Sequence, residues 1–145
     1  IAMAYGYVYV AQIAMGANPE QTVRALKEAE AYEGPSLIIA YAPCINHGVK
    51  AGMNKSMLGM KKAVRSGYWN LLRFNPEKAA NGENPLTVDS HMPTESYRDF
   101  IMGEVRYNSL KLNFPERAED LFTKGEAFAK ERYETLKHRQ DSFDK

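Results

Sequence analysis

The sequence predicts an α/β fold: a partial parallel sheet with flanking helices, followed by a helical C-terminal extension. Three observations carry that prediction. Short runs rich in aromatic and β-branched residues alternate with helix-period segments over the first third of the chain. Turn-forming pairs, Gly34-Pro35, Asn75-Pro76 and Asn84-Pro85, separate the runs. From Pro115 onward, apolar residues recur at helical spacing among alternating charges.

The elements follow in order. Tyr7-Val8-Tyr9-Val10-Ala11-Gln12-Ile13 is apolar on both faces, which suits a buried strand of a parallel sheet. Asn18 is placed to cap a helix, with Pro19 at its first position and Gln21 completing a box-like pattern. That helix spans Pro19 to Tyr32, with Val23, Leu26 and Ala29, widened by Ala25, as its inward stripe. Lys27, Glu28 and Glu30 face solvent, and Glu28, Glu30 and Glu33 read as a solvated face. Ser36 to Ala42 is a second buried strand, giving a right-handed strand-helix-strand crossover with both strands parallel. Gly52 to Gly67 reads as a helix carrying Met57, Met60 and Val64 on one side and Lys61, Lys62 and Arg65 on the other. Met15, Met53, Met57 and Met60 are expected to pack. A third strand, Tyr68 to Phe74, ends at Asn75-Pro76, and Leu86 to Asp89 forms a short extended run. Thr94 to Met102 is helical. A longer helix runs from Pro115 to about His138, with Ala118, Leu121, Phe122, Gly125, Phe128, Ala129 and Leu136 recurring, and the charged tail Lys137 to Lys145 frays.

Composition narrows the function classes. Of 145 residues, 44% are hydrophobic and 26% charged, enough to bury a core and outside the disordered range. Nineteen basic residues against eighteen acidic ones give a formal net charge of +1. That balance argues against nucleic-acid binding and against a polybasic membrane surface. The most apolar stretch, Ile1 to Met15, is broken by Tyr, Gly and Gln and is short for a membrane span. A cytoplasmic location fits best. The chain enters in mid-pattern at Ile1, which reads as a piece of a longer polypeptide.

The single cysteine, Cys44, rules out an internal disulfide and an all-cysteine metal site. Pro43 ends the second strand, so Cys44-Ile45-Asn46-His47-Gly48 follows its carboxyl end, the edge where open α/β sheets collect ligands and chemistry. Three readings of Cys44 stand side by side. It is a small buried hydrophobe, a nucleophile using His47 three residues on, or a metal ligand. The last needs partners, and His47, His91 and His138 offer no ligand-spaced pair. No phosphate loop, dinucleotide fingerprint or zinc signature is present, and no residue is singled out as catalytic or as binding an organic cofactor.

Beyond these patterns, several blocks carry a resemblance. Tyr5 to Gln12, Ala29-Glu30-Ala31-Tyr32 and the long block Pro35 to Gly48 are followed by Lys62-Ala63-Val64, Ser66-Gly67-Tyr68-Trp69, Arg73-Phe74-Asn75-Pro76 and Asn84 to Ser90. In this order they resemble pyruvate:ferredoxin (flavodoxin) oxidoreductase, in the C-terminal part of its thiamine-diphosphate-binding domain. The resemblance implies that residues 1–90 belong to that domain and 91–145 to a helical C-terminal extension. It implies decarboxylation of pyruvate on thiamine diphosphate with magnesium, transfer of the acetyl group to coenzyme A, and electron flow through 4Fe-4S clusters to ferredoxin or flavodoxin. The remainder of the parent polypeptide and a second copy in a homodimer are implied partners. Cys44 corresponds to the family's isolated fourth thiolate for the thiamine-proximal cluster. The family's Gly-Asp-Gly start and Asn-Thr-Gly-Gly segment do not occur in these residues, so the chain alone is expected to be inactive and to bind none of these cofactors. The alternative is a non-catalytic interaction or regulatory module that retains the fold. Asn70 departs from the proline often found there in relatives.

Overall fold

The structure, a computed structural model, describes residues 1–44 and 50–143. Four strands form one sheet in the order β2-β1-β3-β4: β1 Tyr9–Ile13, β2 Ser36–Ala40, β3 Leu72–Phe74 and β4 Leu86–Val88. The β1–β2 pair is parallel, in register from Tyr9 opposite Ser36 to Ile13 opposite Ala40. Between them runs helix α1, Pro19–Ala31, so the predicted strand-helix-strand unit is present. Strand β3 instead joins β1 antiparallel, and β4 joins β3 antiparallel, which makes the sheet as a whole mixed. The eleven residues that separate β3 from β4 in sequence include helix α3, Pro76–Ala80, and form a hairpin-type link; no crossover helix is needed there.

Burial separates the two parallel strands. Strand β1 is central and buried, whereas β2 is an edge strand with Leu37 and Ile39 exposed. The prediction of a buried second strand is therefore corrected. An apolar run reads the same whether one neighbour or two flank it, and β2 pairs only with β1.

Helix α1 begins as expected: the Asn18 side chain accepts from the Gln21 backbone N–H at 2.9 Å, with Pro19 in the first turn. Its inward face includes Ala25 and Ala29, as predicted, but not the other two residues of the stripe. Val23 and Leu26 are exposed, while Gln21, Thr22 and Ala25 are buried. The sheet selects the polar face because Arg73, on β3, pairs with Glu28 and its partner Asp89 accepts from Gln21, and Glu28 is accordingly not on a solvated face.

The predicted helix from Gly52 to Gly67 divides into a 3-10 turn, Met53–Lys55, and α2, Ser56–Arg65. Ala63 is its buried residue, Met60 and Val64 are half-buried, and Lys61, Lys62 and Arg65 face outward. Met15, Met53 and Met57 are exposed, against the expectation that they pack. The Met57 backbone runs close to Gly16: a Cβ there would lie 2.4 Å from the Met57 carbonyl oxygen, so only glycine fits.

Helices α4, Tyr97–Gly103, α5, Val105–Asn113, and α6, Pro115–Asp141, complete the chain. Ala118, Phe122, Ala129 and Tyr133 form the buried stripe of α6, while Leu121 and Phe128 point outward. Leu136 packs with Val10, Leu72, Phe74 and Leu86, so α6 covers the sheet face opposite α1. The predicted fraying from Lys137 is corrected through Asp141. Gln140 holds the helix end to β4, its Oε1 accepting from the Val88 N–H at 2.6 Å and its carbonyl from the Asn84 amide at 2.8 Å.

Candidate functional site

The carboxyl end of β2 is built by convergent hydrogen bonds. The Ile13 carbonyl, at the end of β1, accepts from the Tyr41 N–H at 2.9 Å and from the Trp69 indole N–H at 3.2 Å. Two strands and the turn after α2 are thereby tied at one point. Tyr41 then packs its ring on Trp69, centroids 5.7 Å apart, and edge-on to Tyr68 at 6.1 Å. Tyr68 continues the cluster to Phe100 and Tyr107, and the Tyr68 and Tyr107 hydroxyls are 2.9 Å apart.

Cys44 emerges beside this aromatic shelf, four residues past the end of β2, with a free, exposed thiol. In this chain Cys44 is therefore not a buried hydrophobe. An adjoining cavity of about 250 Å³ is lined by Tyr41, Ala42, Pro43, Cys44, Tyr68, Glu104, Arg106 and Tyr107. His47 and Asn46 lie outside the described residues. His91 and His138 are exposed, the first after β4 and the second on α6. Among the described residues, no three His, Cys, Asp or Glu side chains converge as a metal site. What Cys44 presents is one accessible sulfur donor.

Electrostatics keep the shelf neutral. Burial, with smaller contributions from Glu104 and Tyr107, pushes the Tyr41 hydroxyl up to about 12. Burial and the hydrogen bond to Tyr107 push Tyr68 up as well. Burial alone raises the Glu104 carboxyl. The phenols are protonated at neutral pH and remain hydrogen-bond donors.

A second polar cluster sits on the α1 face of the sheet. Arg73 forks onto Asp89, Nε to Oδ2 at 2.9 Å and Nη2 to Oδ1 at 2.8 Å, and its Nη1 bonds Glu28. Tyr9 donates to Glu28 at 2.8 Å, and Gln21 donates to Asp89 at 3.0 Å and to the Gln12 carbonyl at 3.2 Å. Side-chain exposures of 7% for Arg73, 12% for Asp89 and 26% for Glu28 make this an enclosed ion-pair network. The hydrogen bonds to Asp89 raise the Arg73 pKa, so the guanidinium stays charged. Every strong partner is internal, and the network reads as a clamp across β1, β3, β4 and α1.

Sequence reasoning placed Cys44 correctly at the strand's end but missed the residues around it. Tyr68 and Tyr107 are 39 positions apart, and nothing in helix periodicity signals their meeting. Arg73 did carry a signal: a charge between Leu72 and Phe74 in a strand demands buried partners.

No protein-family model matches the chain. Individual proteins do. The chain is 60% identical over 137 residues to "Pyruvate:ferredoxin oxidoreductase" of Moorella thermoacetica, covering 94% of this chain and 12% of that protein. It is 55% identical over 133 residues to "Pyruvate-flavodoxin oxidoreductase" of Klebsiella pneumoniae, covering 92% and 11%. It is 44% identical over 119 residues to the mitochondrial "Pyruvate dehydrogenase [NADP(+)]" of Euglena gracilis, covering 82% and 6%. The chain therefore spans about an eighth or less of the length of these relatives. Over nearly its whole length, this chain is homologous to one segment of the pyruvate:ferredoxin and pyruvate-flavodoxin oxidoreductases.

Proposed function

We propose that this chain works as one segment of an oxidoreductase that decarboxylates pyruvate on thiamine diphosphate to acetyl-CoA and CO2. Electrons then pass through 4Fe-4S clusters to ferredoxin or flavodoxin. The observation that carries the reading is identity of 60% across 94% of the chain to a protein named for that reaction. On this reading residues 1–90 belong to the thiamine-diphosphate-binding domain and 91–145 to its helical extension, in a cytoplasmic homodimer.

Within this chain Cys44 is the residue proposed to hold iron. An exposed, free thiol supplies the soft sulfur donor that such clusters take, and it lies beyond a strand's carboxyl end, where α/β folds place ligands. One thiolate is a quarter of a four-cysteine ligand set, so the other donors come from elsewhere in the polypeptide. The cluster, when bound, supplies one-electron transfer. The chain's part is to fix the donor: the Tyr41 N–H to Ile13 bond sets where the chain leaves the sheet. No residue here is assigned to thiamine diphosphate, magnesium, pyruvate or coenzyme A.

The test is Cys44→Ala in the full oxidoreductase polypeptide that carries this segment. Iron content is expected to fall by one cluster, with loss of that cluster's electron-paramagnetic-resonance signal and retention of the others. An unchanged iron count removes Cys44 from the ligand set. Calorimetric titration of the 145-residue chain with thiamine diphosphate and magnesium is expected to show no binding, and micromolar affinity would contradict the assignment of that site to other segments.

A further inference from the structure

Met92 is 72% exposed, yet the chain on either side of it is fixed. Before it, the Ser90 N–H donates to the Leu71 carbonyl at 3.2 Å, and the Leu71 N–H donates to the Ser90 hydroxyl at 2.6 Å. After it, the Thr94 and Glu95 N–H groups both donate to the Arg65 carbonyl, at 2.8 and 3.1 Å. Pro93 seats on Gly67, where a φ of 74° and a Cβ position 2.8 Å from the Pro93 ring admit only glycine. A large apolar side chain is thus held out rigidly. Beside it, against α6, lies a cavity of about 570 Å³ that Pro93, Tyr97, Ala127, Ala129 and Tyr133 also line. We propose that this cavity docks an apolar side chain and its adjoining backbone carbonyl from the oxidoreductase polypeptide outside these 145 residues, on a stretch with basic flanks.

Three observations select that occupant. The cavity offers donors that need an acceptor: Tyr133 is only 9% exposed, and neither its hydroxyl nor that of Tyr97 has a hydrogen-bond partner among the described residues. The lining disfavours an anionic acceptor, because Glu95, Glu126 and Glu134 outnumber Lys130 there. Their ion pairs with Arg65, Arg98 and Lys130, at 3.2, 3.7 and 3.9 Å, lie near the surface and are readily exchanged. A neutral carbonyl therefore meets the phenols, and lysine or arginine beside it meets the carboxylates. The third observation is surface. The chain exposes 9114 Å², whereas a compact monomer of 16.4 kDa exposes about 7,500 Å². The excess is what one or two stable interfaces cover on one partner, at about 800 Å² each. The chain makes up 12% and 11% of the Moorella and Klebsiella relatives, so polypeptide to cover it is present in such a protein. A rigid, preformed apolar site binds at low ordering cost, which suits a fixed contact within one polypeptide.

This docking rests on the chain being a segment of a longer oxidoreductase, and not on the role given to Cys44. In the full oxidoreductase, Met92 is replaced by the photo-crosslinker p-benzoylphenylalanine, and the irradiated protein is digested and read by mass spectrometry. The expected adduct joins position 92 to an apolar residue outside these 145 residues, with lysine or arginine close to it in sequence. On a denaturing gel the product should keep the mass of a single polypeptide. Ala127→Trp, which fills the cavity from an exposed helix position, should abolish the adduct, whereas Ala127→Ser should preserve it. A product of doubled mass would assign the cavity to a second copy. No adduct, or one confined to these 145 residues, would leave it to a small molecule or to solvent. Any of these results, or an adduct that survives Ala127→Trp, overturns the proposal. The readout is a covalent mass and needs neither turnover nor clusters, so its failure is distinct from a failure of the Cys44 assignment.

Discussion

Strand β1 separates two regions of opposite chemical character. On its α1 face, Tyr9 and Gln12 join the Arg73–Asp89–Glu28 network, in which the charges are enclosed and answered by one another. At its carboxyl end, Ile13 opens onto the tyrosine and tryptophan shelf, where rings pack around a cavity and a free thiol faces out. The first region spends its polar groups on holding strands together. In the second, an exposed thiol and a carboxyl raised by burial border open space. The contrast is between polar groups that answer one another and polar groups that border open space.

The largest expected effect breaks the scaffold. Arg73→Met leaves Asp89 and Glu28 enclosed without their cation, and removing one partner of such a buried pair costs about 3–5 kcal/mol. Urea unfolding of the chain monitored by circular dichroism measures it. A loss below about 1 kcal/mol, the scale of an exposed pair, would mean that the network is no clamp. On the other side the matching deletion is Ile101→Ala, at a side chain 1% exposed beneath the aromatic cluster. A cavity there costs about 2–4 kcal/mol. If Ile101→Ala proved as mild as a surface substitution, the shelf would not rest on a packed core.

These two regions also differ in how far the sequence disclosed them. Asn18-Pro19 announced the start of α1, because capping is a local interaction between a side chain and the next turn. Cys44 could be placed beyond a strand's end for the same reason, since Pro43 is a local break in the sequence, although pairing already stops at Ala40 where β1 ends at Ile13. Ala25 and Ala29 face inward on α1 as their spacing predicts, whereas Val23 and Leu26 turn outward because Arg73, some 45 positions from Glu28, draws the polar face to the sheet. Helix α5 gave no signal at all. It buries no residue fully and packs on the core through the half-buried Tyr107 and Leu110, so the periodicity that betrays a core-facing helix is missing. Likewise, the edge position of β2 depends on which strands pair, information that an apolar run does not contain.

A smaller effect tests the local part of that contrast. Asn18→Ala removes the side-chain acceptor for the Gln21 N–H and should cost about 1 kcal/mol without disturbing the shelf. Near-ultraviolet circular dichroism, dominated by the ring cluster, should be unchanged, whereas a perturbed spectrum would show that α1 and the shelf are one unit.

The smallest effect is invisible at neutral pH. The folded Tyr41 hydroxyl is raised from 10.0 to about 12, chiefly by burial. Because the folded state holds this proton more tightly than the unfolded chain, Tyr41 contributes stability that is complete below pH 10.0 and is lost as pH rises toward about 12. Tyr41→Phe cannot ionise, so the variant should lose less stability than the wild type over that alkaline window and match its slope below it. Tyr9, on the network side, is held protonated beyond Tyr41 by deeper burial and by the Glu28 carboxylate. The aromatic shelf should therefore yield to base before the network does, with the near-ultraviolet signal falling ahead of the backbone signal in an alkaline titration. Coincident loss of both signals, or identical alkaline slopes for the wild type and Tyr41→Phe, would mean that the open region is as firmly tied as the closed one.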